Sequence, residues 1–278
     1  MLSAAFIQSL VDAPLLVAIR STELIFAWSL IIQTLEYLRM GKYTVHDAFW
    51  SWQLQRDDIP NAPIRTLLDF LFKPRMHQLH LLLRLVAAIT LAAQGASLPL
   101  IVFLFAGNLL ILIRWRGAFN GGSDFLTLVV LTGLLISQIV GAFGNAQLGW
   151  QAGFWYIAIQ AITSYFMSGA VKLLRREWRN GSAMTIFLNG AIYGPLSAKH
   201  PLRNKWLTLM GSWGFIVWEI LFPLSLFDPR LAVVFCTVAA LFHFLVFWFF
   251  GLNRFFWAWM CSFPAIIWCS AQFSARFV

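Results

Sequence analysis

Long apolar stretches separated by short polar segments dominate the pattern of hydrophobic and polar positions along this chain. A helix that crosses a bilayer needs about 20 mostly apolar residues, and a series of stretches approaches that length. They cover approximately 13–38, 79–95, 98–113, 125–143, 152–173, 206–227, 231–250 and 254–272. The pattern therefore predicts an all-α fold, a polytopic transmembrane helix bundle of about eight spans.

The long loop between the first two predicted spans contains amphipathic segments, TVHDAFWSWQLQRDDIP and, after Pro63, IRTLLDFLF. In a helical arrangement Phe49, Trp50, Trp52 and Leu54 can share an apolar side. Two interpretations fit this pattern: interfacial helices that lie among the lipid headgroups, or helices that pack over the end of the bundle.

The composition excludes a soluble globule. The chain is 60% hydrophobic and 11% charged, whereas soluble proteins average roughly 25% charged residues. Its net charge of +9 suits anionic membrane lipids as partners. The basic residues stand singly at helix ends, which argues against nucleic acid as a partner. No internal repeat or low-complexity linker divides the chain, so we expect a single integral membrane domain over residues 1–278.

Basic residues gather in alternate loops. Lys and Arg occur in the connections 39–78, 114–116 and 175–205, whereas the connections around Gly95 and over 144–151 contain neither. Because basic loops remain in the cytoplasm, this alternation predicts an even number of spans with both termini outside.

The sequence contains no pattern typical of a metal site. Cys236, Cys261 and Cys269 lie in apolar runs without a C-x-x-C pair and are typical of small core residues. A P-loop and a Gly-x-Ser-x-Gly element are also missing. The N-terminal residues lack the basic region of a signal peptide, so we expect no cleaved signal.

Ionisable residues inside the predicted spans are candidates for chemistry, because each costs at least a few kcal/mol in hydrocarbon unless it has a partner or a task. These residues are Glu23, Asp124, Lys172, Glu219 and His243. Glu23 follows Arg20 by three positions, which favours a structural ion pair. Glu219 and His243 lie on successive helices and are expected to reach each other through Trp218 or water. His243 is interpreted either as a hydrogen-bonded interior residue or as a catalyst.

The segment FNGGSDFL, residues 119 to 126, precedes the fourth predicted span. Its Asn, Ser and Asp residues are typical of a helix N-cap. The alternative is that Asn120 and Asp124 position a reacting group.

Lys172 lies at the end of the fifth predicted span, in SYFMSGAVKLLRREW. One interpretation is an anchor whose ammonium extends to the headgroups, and the arginines that follow favour it. The other is a base: a neutral amine at the membrane edge is competent to deprotonate a lipid-soluble acid such as a hydroquinone.

Several of these motifs resemble the HTTM family, the membrane domain shared by vitamin K-dependent gamma-carboxylases and many small bacterial proteins. The resemblance rests on SGAVKLLRREWRNGSAM, residues 168 to 184, on FNGGSDFL, and on LMGSWGFIVWEILFPLSLF followed by FHFLVFWFFGLNRFFWAWMCSFPAII. It extends over most of the chain and implies a protein of the bacterial cytoplasmic membrane.

The resemblance implies roles for individual residues. Lys172 corresponds to the lysine that deprotonates vitamin K hydroquinone, and Asn120 matches the Asn of the family's polar turn. The family His next to that Asn is replaced by Gly121, which weakens the oxygenation step. The chain also contains no large soluble domain to present glutamates, so we expect a small relative rather than a full carboxylase.

Three functions remain open. In the first, the protein is a quinol- or lipid-linked membrane enzyme acting on a peptide or lipid, with a quinone as cofactor. Its catalytic residues would be Lys172, Asn120 and His243, and its binding residues Asp124, Trp178 and Glu219. In the second, it is a non-catalytic maturation or assembly factor for a secreted peptide or a partner membrane protein, and its aromatic C-terminal helices dock that partner. In the third, it is a small-molecule transporter, although the sequence contains no paired repeat.

Overall fold

The computed structural model describes residues 15–43, 50–116, 120–192, 194–197 and 199–276, with only the backbone of Lys42. All regular elements in these ranges are helical. In chain order the α-helices are α1 (Leu15–Arg39), α2 (Trp52–Gln55), α3 (Ala62–Leu71), α4 (Pro74–Gln94), α5 (Leu98–Arg114), α6 (Gly121–Phe143), α7 (Ala146–Leu174), α8 (Arg176–Arg179), α9 (Ser182–Asn189), α10 (Lys205–Leu221), α11 (Pro229–Phe250), α12 (Asn253–Met260) and α13 (Phe263–Ser274).

Within the described ranges, 6 helices are long and apolar enough to cross a membrane. They are α1, α4, α6, α7, α10 with the 3₁₀ turn Phe222–Leu226, and α11. Helix α5 is a shorter apolar helix of 17 residues. The predicted all-α, polytopic fold of an integral membrane protein is confirmed.

The last predicted span, 254–272, is a pair of helices of 8 and 12 residues rather than one helix. Helix α12 ends at Met260, and in the turn that follows, Cys261–Ser262, the Ser262 N–H donates to the Trp259 carbonyl at 3.1 Å. Pro264 occupies the start of α13, and proline lacks the N–H that a continuous helix would need there. The proline therefore accounts for the break, which a count of apolar residues does not predict.

Together α12 and α13 run antiparallel to α11. Phe256 contacts Phe244, near the end of α11, with ring centroids 6.1 Å apart. At the other end of the pair, Ser270 Oγ donates to the Ser225 carbonyl at 2.7 Å, just before α11 begins. At 1.5 Å per residue, 22 helical residues extend about 33 Å, so the broken pair accompanies α11 over its length.

Helix ends follow the polar residues of the sequence. Side-chain oxygens of Asn120, Asn204 and Asp228 accept backbone N–H groups at the starts of α6, α10 and α11. Gly251 ends α11 with φ of 67°, a left-handed conformation that glycine adopts without strain. These caps supply partners for backbone groups that helix termini leave unpaired.

The contacts divide the chain into two compact units. The amino unit is Glu23–Gly153, and the carboxyl unit consists of residues 154–276 and 15–22 among those described. The expectation of one domain over 1–278 stays a prediction.

The first long loop combines the two arrangements that the sequence left open. Trp52 is buried against Leu68 and Phe72, and its Nε1 donates to Asp69 at 2.7 Å. Leu54, two residues later, is exposed. Trp52 and Leu54 therefore do not share one apolar side as expected, because α2 packs Trp52 inward. Phe49 lies outside the described residues.

Helix α3 keeps an exposed apolar side. Ile64, Leu67 and Phe70 face outward while Leu68 packs inward. The Arg56 guanidinium donates to Asp69 at 2.8 Å, and this hydrogen bond, with that from Trp52, lowers the pKa of Asp69 to about 2. The same carboxylate raises the pKa of Arg56. The helix thus has the two-sided character of an interfacial element.

Candidate functional site

The carboxyl unit contains a buried ion pair between α7 and α10. Lys172 Nζ lies 2.6 Å from Glu219 Oε2 and 2.7 Å from Glu219 Oε1. The Lys172 side chain is 15% exposed and that of Glu219 is 3% exposed. The sequence identified both residues as candidates but did not pair them.

Ser168 completes this cluster. Lys172 Nζ donates to Ser168 Oγ at 2.6 Å, and Ser168 Oγ donates to Glu219 Oε1 at 3.2 Å. Ser168 precedes Lys172 by one helical turn, so both side chains lie on one side of α7. A buried charge pair is stable only when further hydrogen bonds satisfy its atoms, and Ser168 provides two of them.

Gly169 permits this close approach of the two helices. A Cβ atom at Gly169 would lie 2.8 Å from the Glu219 Cβ and 2.8 Å from the Ile220 backbone nitrogen. A larger residue would therefore push α10 away from α7. Glycine at position 169 therefore lets α7 and α10 approach closely enough for Lys172 to reach Glu219.

Trp178 covers the ammonium group. Lys172 Nζ lies 5.1 Å from the centroid of the Trp178 ring, within the range of a cation–π interaction. The Trp178 carbonyl accepts a hydrogen bond from Ser212 Oγ, and the Arg179 carbonyl accepts one from Trp213 Nε1 at 3.1 Å. These bonds tie α8 to α10 and hold Trp178 over the site.

His243 lies in the same unit but its hydrogen-bond partner is Tyr165. The Tyr165 hydroxyl and His243 Nε2 are 2.7 Å apart, and both side chains are buried. Trp218 contacts the Tyr165 ring at 5.4 Å between centroids, and the expected approach of His243 to Glu219 through Trp218 or water stays a prediction. Sequence reasoning missed Tyr165; its spacing of seven residues from Lys172, two turns on one helix face, was the available signal.

Asn120 and Asp124 belong to the amino unit, where they form a helix cap. Asn120 Oδ1 accepts from the backbone N–H groups of Gly122 and Ser123 at 3.0 and 3.1 Å. Asp124 Oδ2 accepts from Asn120 N–H at 2.7 Å. This reciprocal arrangement is the capping interpretation of FNGGSDFL.

The amino unit also contains a buried arginine that sequence reasoning missed. Arg84 on α4 donates to Thr34 Oγ1 at 2.6 Å, to Gln33 Oε1, and to Asn108 Oδ1 at 3.3 Å. Gln33 Nε2 in turn donates to Asp124 Oδ1 at 3.3 Å. A single arginine inside the predicted span 79–95 was a clear signal, since a charge in hydrocarbon needs such partners.

Glu23, also in the amino unit, accepts a hydrogen bond from the Ala96 backbone N–H at 2.7 Å. The carboxylate therefore binds the turn between α4 and α5. Its expected pairing with Arg20 stays a prediction.

The described ranges contain no group of three or more His, Cys, Asp or Glu side chains that could hold a metal ion. The three cysteines are buried and free. The polar groups around Lys172 and Tyr165 in the carboxyl unit are an ammonium, a carboxylate, a hydroxyl and a Tyr–His pair, which are groups suited to proton transfer.

Comparison of the chain with protein-family models, with curated proteins and with solved structures gave no match.

Proposed function

We propose that this protein is an HTTM-like membrane enzyme in which the Lys172–Glu219 pair takes a proton from a lipid-soluble acid such as a hydroquinone. The observation that carries the proposal is the pair itself, an ammonium and a carboxylate 2.6 Å apart at the end of a membrane helix. Such a pair within an apolar protein is a functional candidate because its burial is costly.

The chemistry follows from the charge of the pair. A hydroxyl group of the acid gives its proton to the pair, which passes from net neutral to net positive. The phenolate that remains is stabilised by this positive charge in a medium of low dielectric constant. Because Nζ and both carboxylate oxygens lie within hydrogen-bond distance, the proton can reside on either partner.

Trp178 supports the same proposal. Its ring covers the Lys172 ammonium and offers an aromatic surface beside the reacting proton. Asn120 and Asp124 are not assigned a catalytic role, since they cap α6 and Asp124 also accepts a hydrogen bond from Gln33 in the amino unit. We further propose the bacterial cytoplasmic membrane as the location, with the basic loop after Lys172 in the cytoplasm.

Oxygen uptake by a reduced short-chain quinone tests the proposal, because deprotonated hydroquinone is oxidised by oxygen faster than the neutral molecule. The full chain in detergent is expected to accelerate uptake. Lys172→Ala and Glu219→Gln are each expected to lower that acceleration by about a hundredfold, the lower range for a lost acid–base group.

Lys205→Ala provides the matched control, since it removes the same charge from an exposed position at the start of α10. It is expected to retain the activity of the unmodified chain. Equal rates for Lys172→Ala and Lys205→Ala would refute the assignment of Lys172.

A second candidate function is a non-catalytic assembly factor for a partner membrane protein. One observation favours it: apolar residues three or four positions apart form an exposed seam along α11. The seam consists of Leu231, Val234, Val238, Leu241, Leu245 and Trp248. By contrast, residues 253–271 are buried or half-buried, so this exposed seam belongs to α11 and not to α12 or α13.

Native mass spectrometry of the protein released from mild detergent distinguishes the two candidates. An assembly factor is expected to carry a second chain in fixed ratio and to lose it in Leu241→Ala. Leu207→Ala, an exposed leucine on α10, is the control. A bare chain with Lys172-dependent oxygen uptake would favour the enzyme.

A further inference from the structure

A second cluster in the carboxyl unit surrounds Tyr165. The rings of Trp259, Trp218 and His243 have centroids 4.7, 5.4 and 5.9 Å from that of Tyr165. They come from α12, α10 and α11, and Tyr165 comes from α7. Four helices thus direct aromatic rings to one place.

Each of the three surrounding rings has a buried nitrogen without a partner. Trp218 Nε1, Trp259 Nε1 and His243 Nδ1 are inaccessible to solvent and have no hydrogen-bond partner among the described residues. An indole nitrogen only donates. When the Tyr165 hydroxyl donates to His243 Nε2, His243 Nδ1 also carries a hydrogen. The unsatisfied groups are therefore donors.

Unsatisfied buried donors are costly, at about 1–3 kcal/mol each, and a membrane interior offers no bulk water to relieve them. Several such donors in one cluster favour an acceptor from outside the chain. A carbonyl oxygen accepts two hydrogen bonds and donates none, so it matches a cluster with an excess of donors. A water molecule fits less well, because its own two hydrogens would need acceptors.

We propose that the N–H groups of Trp218 and Trp259 bind the carbonyl oxygen of a lipid-soluble molecule. The ester carbonyl of a lipid and the ring carbonyl of a quinone share this chemistry. The site lies two turns of α7 from Lys172, about 11 Å along the helix axis. It goes beyond the proposed proton transfer, because binding here does not require Lys172 to act as a base.

The test uses the full chain in an alkyl maltoside, a detergent without a carbonyl group. The delipidated protein is incubated separately with a short-chain benzoquinone and with a short-chain phosphatidylglycerol, passed through a gel-filtration column, extracted and analysed by mass spectrometry. The unmodified chain is expected to retain one of the two probes, and the identity of that probe distinguishes the quinone from the lipid.

Phenylalanine variants remove an N–H while keeping an aromatic ring. Trp218→Phe and Trp259→Phe are each expected to retain at least about tenfold less probe. Trp213→Phe is the control, because the Trp213 N–H already donates to the Arg179 carbonyl. Lys172→Ala is expected to retain the probe, which separates this inference from the proposed function. Equal retention by Trp259→Phe and Trp213→Phe, or by none of the proteins, would overturn the proposal.

A second measurement needs no substitution. With a ¹³C-labelled carbonyl, the infrared stretching band of the retained probe is expected at lower wavenumber than in detergent alone, since hydrogen bonds weaken the C=O bond. An unshifted band would overturn the proposal whether or not the variants fold.

Discussion

The contact between Lys172 Nζ and the Glu219 carboxylate joins α7 to α10. Lys172 and Glu219 stood out because each is a charge within an apolar run. Their contact depends on the register of α10 against α7, which no spacing in the sequence specifies. Tyr165 was missed because a tyrosine in an aromatic-rich membrane helix is ordinary until its hydroxyl is seen against His243.

The contact at Gly169 yields a prediction about the ion pair. In Gly169→Ala the added Cβ meets the Glu219 Cβ and the Ile220 nitrogen at 2.8 Å, so α10 must shift. We expect a loss of about 1–3 kcal/mol in the free energy of unfolding and slower hydroquinone-dependent oxygen uptake. Thermal unfolding in detergent measures the first effect.

Gly214→Ala, on α10, is the control for this substitution. A Cβ at Gly214 has nothing within 4 Å, and alanine favours a helix by up to about 1 kcal/mol over glycine. The control is therefore expected to be as stable as the unmodified chain or more so. A Gly169→Ala protein of equal stability would show that the helices are not in contact there.

At the scale of elements, apolar length predicted the helices well, and local chemistry set their ends. The predicted stretch 98–113 lies on α5, and 231–250 lies on α11. The break at Cys261–Ser262 was missed because every residue around it is apolar or small. Similarly, the composition of the first loop showed an amphipathic segment, but only packing shows that Trp52 turns inward.

The contact of Asp69 with Arg56 and Trp52 predicts how α2 and α3 respond to acid. The pKa of Asp69 is lowered to about 2 in the folded protein, against about 3.9 in an unfolded chain. Its contribution to stability is therefore fully present above about pH 4 and is lost as the pH falls towards 2. In Asp69→Asn this contribution is absent at every pH.

Pepsin cleavage within residues 52–72 measures the effect. The ratio of cleavage rates, Asp69→Asn over unmodified chain, is expected to exceed one at pH 4 and to approach one near pH 2. Comparing the two proteins at each pH cancels the pH dependence of pepsin. Asp57→Asn is the control, since Asp57 is exposed and its carboxylate lies 3.6 Å from the Arg56 guanidinium, too far for a hydrogen bond. A similar ratio of cleavage rates for Asp57→Asn would contradict the role of Asp69.

At the scale of the whole molecule, the arrangement of charge and the course of the chain lead to a topology. The basic connections 39–78, 114–116 and 175–205 fall on one side of the membrane only if α5 crosses it. The pair α12–α13 returns alongside α11 and brings Ser270 to Ser225. If the pair crosses the membrane, the C-terminal residues are predicted to lie on the side opposite the basic loops.

Cysteine labelling tests this topology. In whole cells, a membrane-impermeant maleimide is expected to label Ser97→Cys and Arg276→Cys, which are exposed positions predicted to lie on the outer side, but not the exposed Lys199→Cys. The native cysteines Cys236, Cys261 and Cys269 are buried, so the unmodified chain provides the background. Labelling of Arg276→Cys only after lysis would mean that α12 and α13 enter and leave the membrane on the cytoplasmic side. That result would contradict a last crossing by α12 and α13.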